Sequence, residues 1–342
     1  MRKLKVAGLG ERCTPWLLVL IGMLPLLLTG LPTAAGRENR SYQLAYSGRL
    51  IEAPLYAAVH KGFFKAEGLT VSLIKADLSG AKALLDSGKV EGIAADYRIF
   101  KALDSGWPLK LVAGLHGGCI RIITPHDSGI KEIEDLRYKV IGVEGEGDGP
   151  MVIAARQLRN HGIDPLSQIT WKTLRRSELE TALRTGRIDA ASIWEPGKST
   201  PANGQPVARV IFSTAGSHAG QHSHSEARHF YAGFIGLSER LIKEQPQAAI
   251  ALTRAWLKAT DWVGKNQADA FRLASDNHYV QNEPEATIND GVQWIPGVRY
   301  VKEDILSYIE EQERLGILSG DIDARKATDR FFAPIIPDLK AR

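Results

Sequence analysis

The sequence predicts an α/β protein of two lobes, each a mixed, mainly parallel sheet flanked by helices. Short apolar runs alternate with helical patterns from about residue 43 to 213, the alternation that makes covered parallel strands. After about residue 238 the pattern turns nearly all helical. About 300 residues, the length left once a leader is set aside, exceed one ordinary core and suit two lobes.

The first 36 residues have the composition of an export signal. Arg2, Lys3, Lys5 and Arg12 form a basic start, Trp16 to Leu28 is an apolar run broken by Pro25, and Thr33-Ala34-Ala35-Gly36 offers cleavage after Ala35 or Gly36. Cys13 precedes the apolar run, where a lipid-bearing Cys would have to follow it. Strands are expected at Gln43–Tyr46, Val71–Ile74, Gly92–Ala95, Lys110–Ala113 and Ile120–Thr124, then at Val140–Val143, Ile169–Leu174, Ala190–Ile193 and Val207–Phe212. Between the first two, Pro54 opens a helix with Leu55, Ala58, Val59 and Phe63 on one face, running out near Gly68. Gly80–Ser87 and Met151–His161 are further helical patterns, and 197–206 is turn chemistry. Ala248–Val263 carries a strong helical stripe behind Pro246, and Tyr300–Leu315 and Ile322–Phe332 follow as helices.

Net charge is +4, but the first 36 residues hold four basic residues against Glu11, so the remainder sits near +1 and makes no case for nucleic acid. Past that segment only Cys119 remains, so no internal disulfide staples the fold. No G-x-S-x-G, H-E-x-x-H or P-loop occurs.

The stretch at 52–71, EAPLYAAVHKGFFKAEGLTV, resembles the first helix of periplasmic solute-binding proteins of the nitrate/sulfonate/taurine and thiamine-precursor type. Leu183–Pro196, LRTGRIDAASIWEP, is similar to a second signature of that family, ending in Trp-Glu-Pro. The resemblance implies a type II periplasmic-binding-protein fold whose lobes close on a small solute and present it to the membrane permease of an ABC importer. It implies crossings at Leu109–Thr124 and Phe230–Leu237, with lobe 1 at 41–119 plus 235–342 and lobe 2 at 120–234. The implied protein is a periplasmic monomer with no cofactor and no enzymatic role.

Ligand contacts in this fold come from loops after strand ends and from helix starts. Tyr46, Ser47, Gly48 and Arg49 follow the first strand, with Glu52 near; Asp96 follows the third as a cap or a cation ligand. His116-Gly117-Gly118-Cys119 joins two soft donors through a flexible backbone at the outward crossing. Glu144–Pro150, EGEGDGP, replaces the neutral donors expected at that helix start with carboxylates, of which Glu146 and Asp148 are the foremost candidates. These acids favour a neutral or amine-bearing solute. Trp194 and Glu195 would face the cleft, the indole offering an apolar wall, and Tyr231 marks the return crossing. His218, His222, His224 and His229 crowd one loop, so a second reading is a receptor for a soft metal or metal complex using Cys119, His116, His222 and His224. A third is a Cys119 hydrolase, or a relative of the pyrimidine-forming enzyme of thiamine synthesis, whose Cys-rich motif is absent here.

Overall fold

Two sheets organise the chain in a computed structural model that describes residues 41–194, 208–215, 231–281, 292–318 and 322–337. The expected leader, the turn at 197–206, Glu195 and the histidine loop at 218–229 lie outside the described residues. The chain opens with β1 (Ser41–Tyr46), α1 (Ala53–His60), the one-turn α2 (Phe63–Ala66), β2 (Thr70–Lys75), α3 (Leu78–Asp86), β3 (Gly92–Asp96), α4 (Ile99–Asp104) and the long β4 (Leu109–Gly117). It continues with β5 (Ile120–Pro125), β6 (Val140–Val143), α5 (Gly149–Asn160), β7 (Thr170–Thr173), α6 (Arg176–Arg184), β8 (Ala190–Trp194) and β9 (Ala208–Ser213). It closes with β10 (Tyr231–Ser238), α7 (Glu239–Glu244), α8 (Pro246–Lys265), α9 (Gln267–Asp276), β11 (Gln293–Gly297), α10 (Val301–Arg314) and α11 (Ala324–Phe331).

The first sheet has the order β11-β4-β10-β3-β1-β2 and the second β7-β6-β8-β5-β9. Both are mixed. Pairing is parallel around β1 and around β6, and antiparallel where β4, β10 and β5 join. β4 feeds β5 through Gly118 and Cys119, so consecutive strands belong to different sheets.

Three local departures from the sequence expectation have physical causes. The helix opened by Pro54 stops at His60 and restarts at Phe63, because Gly62 takes a left-handed φ of 76°. β4 extends to Gly117, paired along its end by both β10 and β11. β11 itself falls in the segment expected to be helical. It carries Trp294 and Ile295, which suit a strand, and it tolerates Pro296 because it is the edge strand.

Four apolar clusters hold the layers together. One lies on the outer face of the first sheet, where α8 packs the stripe Ala249, Leu252, Trp256, Ala259 and Val263 against α1 and the strands. Two cover the faces of the second sheet, around Ile141 and Leu158 and around Leu179 and Ile188. The fourth bridges the sheets and contains Tyr97, Phe100, Tyr308 and Phe331 beside Met151, Val152 and Trp194. α10 contributes to this bridge and ties itself to α5 by Arg159 Nε to Glu311 Oε1 at 2.8 Å, with Glu311 2% exposed.

β10 and β4 approach closely because Gly114 leaves room for the Tyr231 ring; a Cβ at 114 would stand 2.1 Å from Tyr231 Cδ1. Gly114→Ala is expected to cost about 1–3 kcal/mol, the range for overpacking a core. Urea denaturation checks this as a lower midpoint with an unchanged slope.

Candidate functional site

The turn after β1 is built around a buried carboxylate. Glu52, 5% exposed, accepts hydrogen bonds from the backbone N–H groups of Ser47 (2.9 Å), Gly48 (2.9 Å) and Arg49 (2.9 Å), and from the Tyr56 hydroxyl (2.9 Å). The donors that the Ser-Gly-Arg stretch would offer a solute are thus used within the chain. What reaches outward is the Arg49 side chain. Its Nη1 lies 2.9 Å from Asp96 Oδ2, and Arg98 grips the same carboxylate through Nε (2.9 Å) and Nη2 (2.5 Å). Burial pushes the Asp96 carboxyl up, but the hydrogen bonds and charges of Arg98 and the charge of Arg49 outweigh it and hold the group below its ordinary value. Asp96 is therefore the anchor of two guanidiniums.

These guanidiniums stand on one wall of a cleft of about 460 Å³ between the sheets, within the usual size of a small-molecule site. Arg49, Tyr97, Arg98 and Lys101 come from the first-sheet side, joined by Gln312 and Ile317 from the C-terminal part of the chain. The second-sheet side supplies Glu144 to Asp148, Arg176 and Trp194. A small cavity of about 30 Å³ adjoins through Arg49 and Arg98 and is lined also by Ser47, Asp96 and His116. It has room for about one water.

Asp148 holds two positions at once. It caps α5, accepting from the Met151 N–H at 3.0 Å, and it lines the cleft while only 7% exposed. Burial first, then the negative charges of Glu144 and Asp96, push its carboxyl up to about 7 against the backbone N–H bonds that favour the charged form. The α5 start comes close to the first sheet because residue 149 is glycine: a Cβ there would lie 2.4 Å from Tyr97 Cδ2 and 2.6 Å from Trp194 Cη2. Tyr97 is fully buried and stacks on Trp194 (centroids 5.9 Å, 17°) and on Tyr308 (3.5 Å, 8°). Trp194, 8% exposed, is both cleft wall and part of this bridge.

The other candidates lie off the cleft. Tyr46 meets Tyr56 and Tyr279 edge-on, at 5.6 and 5.3 Å, and Gly48 backs onto Lys75 and the Tyr279 carbonyl. Tyr231 is buried; its N–H donates to Asp304 and its carbonyl accepts from the Tyr97 hydroxyl. Gly117 ends β4 and Gly118 turns the chain with φ 78°. Cys119 Sγ lies 3.8 Å from His116 Nδ1, and both are buried. Burial moves the imidazole down to about 4 and the thiol up to about 12, so the pair is a neutral ring and a protonated thiol near neutral pH. A thiol held at that value is a poor nucleophile. No group of three His, Cys, Asp or Glu among the described residues is placed to hold a metal, so Cys119 and His116 gather no third donor there; His222 and His224 are outside the described residues.

Arg98, Lys101, Arg176 and Gln312 are cleft residues that the sequence reading passed over. Arg98 and Arg176 follow the ends of β3 and β7, so the strand-end rule reaches them. Gln312 arrives from α10, and nothing local in the sequence points to it.

The sequence matches the family described as "NMT1/THI5 like" over residues 52–270, well over half of the chain. The chain belongs to this family. Among curated proteins, it is 22% identical to the riboflavin-binding protein RibY of Chloroflexus aurantiacus, over 98% of this chain and 99% of that one. It is 23% identical to the 4-amino-5-hydroxymethyl-2-methylpyrimidine phosphate synthase of Aspergillus parasiticus, over 79% and 80%. It is 26% identical to the bicarbonate transport ATP-binding protein CmpC of Synechocystis sp. over 47% of this chain, and spans only 27% of that longer protein. The fold is that of the periplasmic aliphatic sulphonate binding protein SsuA from Escherichia coli, with a TM-score of 0.66, 15% identity and coverage of 88% of this chain and 94% of that one.

The raised Asp148 value makes a signed prediction. Its folded-state value lies above the ordinary 3.8, so its contribution to stability is complete below about pH 4 and is lost as pH rises through about 7. An Asp148→Asn side chain would mimic the neutral form and cap the helix comparably. Thermal melts of this variant against the parent are expected to coincide near about pH 4 and to separate in favour of the variant by about pH 8, reaching a plateau there. A gap that does not change with pH contradicts the assignment.

Proposed function

We propose that this protein is the extracytoplasmic solute-binding component of an ABC importer. It acts as an exported monomer, with residues 1–36 removed as a signal peptide, and it captures a small polar solute and presents it to a membrane permease. The observation that carries this reading is the cleft: about 460 Å³, lined from both sheets, with charged side chains of both signs and an aromatic wall. Lobes at 41–119 plus 235–342 and at 120–234 would meet there, hinged where β4 passes to β5 and where the chain returns at β10. Contacts made by one solute to both walls favour the closed arrangement by their differential affinity. The names of RibY and SsuA, both binding proteins, support a binding role. Among the described residues, no pair in the cleft has the form of an activated nucleophile and its base, and Cys119, the thiol available for such a role, is buried and protonated. No helix among the described residues is long and apolar enough to cross a membrane.

The test uses protein starting at residue 37, incubated with a small-molecule extract and examined by native mass spectrometry and small-angle scattering. The expected result is one retained, chemically unaltered species at one per chain, with a smaller radius of gyration in its presence. Steady conversion of an extract component with no retained species would instead make the chain an enzyme of the synthase kind.

A further inference from the structure

α10 is fastened to the first sheet along most of its length and reaches the second-sheet side at its last turn. Asp304 accepts from the Tyr231 N–H at 3.0 Å, where the chain returns at β10. One turn on, Tyr308 stacks on Tyr97. Lys302 Nζ pairs with Asp329 Oδ1 of α11 at 2.6 Å, and just past α11 the Ala333 N–H donates to the Leu111 carbonyl of β4 at 2.9 Å. The next positions on the same helix face have other partners. Glu311 Oε1 accepts from Arg159 Nε of α5 at 2.8 Å, and Gln312 Nε2 donates to the Gly147 carbonyl at 2.8 Å. Beyond the helix, Ile317 lies against Gly147, where a Cβ would stand 2.4 Å from Ile317 Cγ2. Arg159 is close to the end of α5 and Gly147 just precedes its start, so α5 is gripped near both ends. Each of these bonds joins two groups of the chain and needs no solute.

We propose that the last turn of α10 is a latch. Carried by a helix anchored in the first lobe, Glu311 and Gln312 clasp α5 of the second, so the protein samples the closed arrangement before solute arrives. This inference rests on the solute-binding reading and adds a conformational device to it. Glu311 is 2% exposed, and the loss of one partner from a buried ion pair costs more than the pair itself contributes. Opening by rotation about the crossings returns both charges to water. Arg314 Nη1, 3.6 Å from Glu311 Oε2 and on the same helix, leaves a counter-charge beside the carboxylate when Arg159 departs. The clasp is also incomplete. Arg159 Nη2 and Gln312 Oε1 are buried with no hydrogen-bond partner among the described residues, and each works against closure. Attraction and cost together make a two-state element and not a fixed joint. Apparent affinity scales with the fraction already in the binding-competent state, so Arg159 and Glu311 strengthen capture without touching the solute.

The experiment measures the distance between spin labels on Ser105→Cys and Ser167→Cys, exposed positions of the two lobes, in protein from residue 37; Cys119 is buried. Two distances are expected without solute. Glu311→Ala is expected to lower the shorter component by about fivefold or more. Lys302→Ala removes a tie of the same helix inside the first lobe and is expected to leave the distribution unchanged. Thermal melts of each variant confirm that it is folded. The small-molecule extract used above is expected to restore the shorter distance in Glu311→Ala. The latch is overturned by a parent that shows the longer distance alone, by a shorter component that survives Glu311→Ala, or by an equal fall in Lys302→Ala. Where the extract still draws the labels together in those cases, the solute-binding reading stands. A single distance that neither the variants nor the extract move removes both.

Discussion

Tyr97 is the point on which the arrangement turns. It directly follows β3, its ring stacks on Tyr308 of α10 and on Trp194 of β8, and its hydroxyl donates to the Tyr231 carbonyl at the start of β10. Four segments distant in sequence meet on one residue. Burial raises the phenol well above its ordinary value, so it stays neutral and remains a donor. Stacked rings add a directional contribution to the area they bury. The bridge between the sheets is thus oriented as well as apolar, and it presents Trp194 and the start of α5 to the same space. Without this stack the residues of the cleft would belong to two sheets with no common frame.

Charge in the site is arranged in two layers. The inner layer is neutralised within the chain: Glu52 is saturated by three backbone N–H groups and a tyrosine, and Asp96 by two arginines. The outer layer, Lys101, Glu144, Glu146 and the outward face of Arg98, lines the cleft. The inner carboxylates hold the outer cations in place, since a guanidinium gripping a buried acid through two nitrogens has little freedom left. Asp148 belongs to both layers, as an internal cap and as a surface of the cleft whose charge depends on burial.

Much of this was legible in the residues. The helix opened by Pro54, the strands up to β9 and the α8 stripe follow from alternation, β-branching and helix-start chemistry, while the return strand is implied by the family resemblance. Arg49, Asp96 and Asp148 stand at strand ends or helix starts, and Trp194 is marked by the Trp-Glu-Pro signature of the family it resembles. Arg98 and Arg176 satisfy the same rule but were hidden behind more conspicuous neighbours, Asp96 and the carboxylate run. Three things were beyond local pattern. Gln312 reaches the cleft from a helix 165 residues beyond Gly147, its partner there. β11 is short, carries a proline and is secured by its pairing with β4. Tyr46 ends a strand where a binding residue belongs, yet it packs with Tyr56 and Tyr279, because α1 and the segment after α9 bring two more rings to it.

The contact between Gly149 and the Tyr97–Trp194 pair has a consequence for how such a site diversifies. A side chain at 149 collides with both rings, so that position is closed to variation while both rings remain. Shrinking a ring first opens it, and the two changes then compensate instead of adding. Routes to a new specificity through the start of α5 are therefore ordered: the aromatic partner changes before the glycine. Libraries that vary residue 149 alone would recover mostly unfolded chains, while paired libraries at 97 and 149 would reach pocket shapes that neither single position allows.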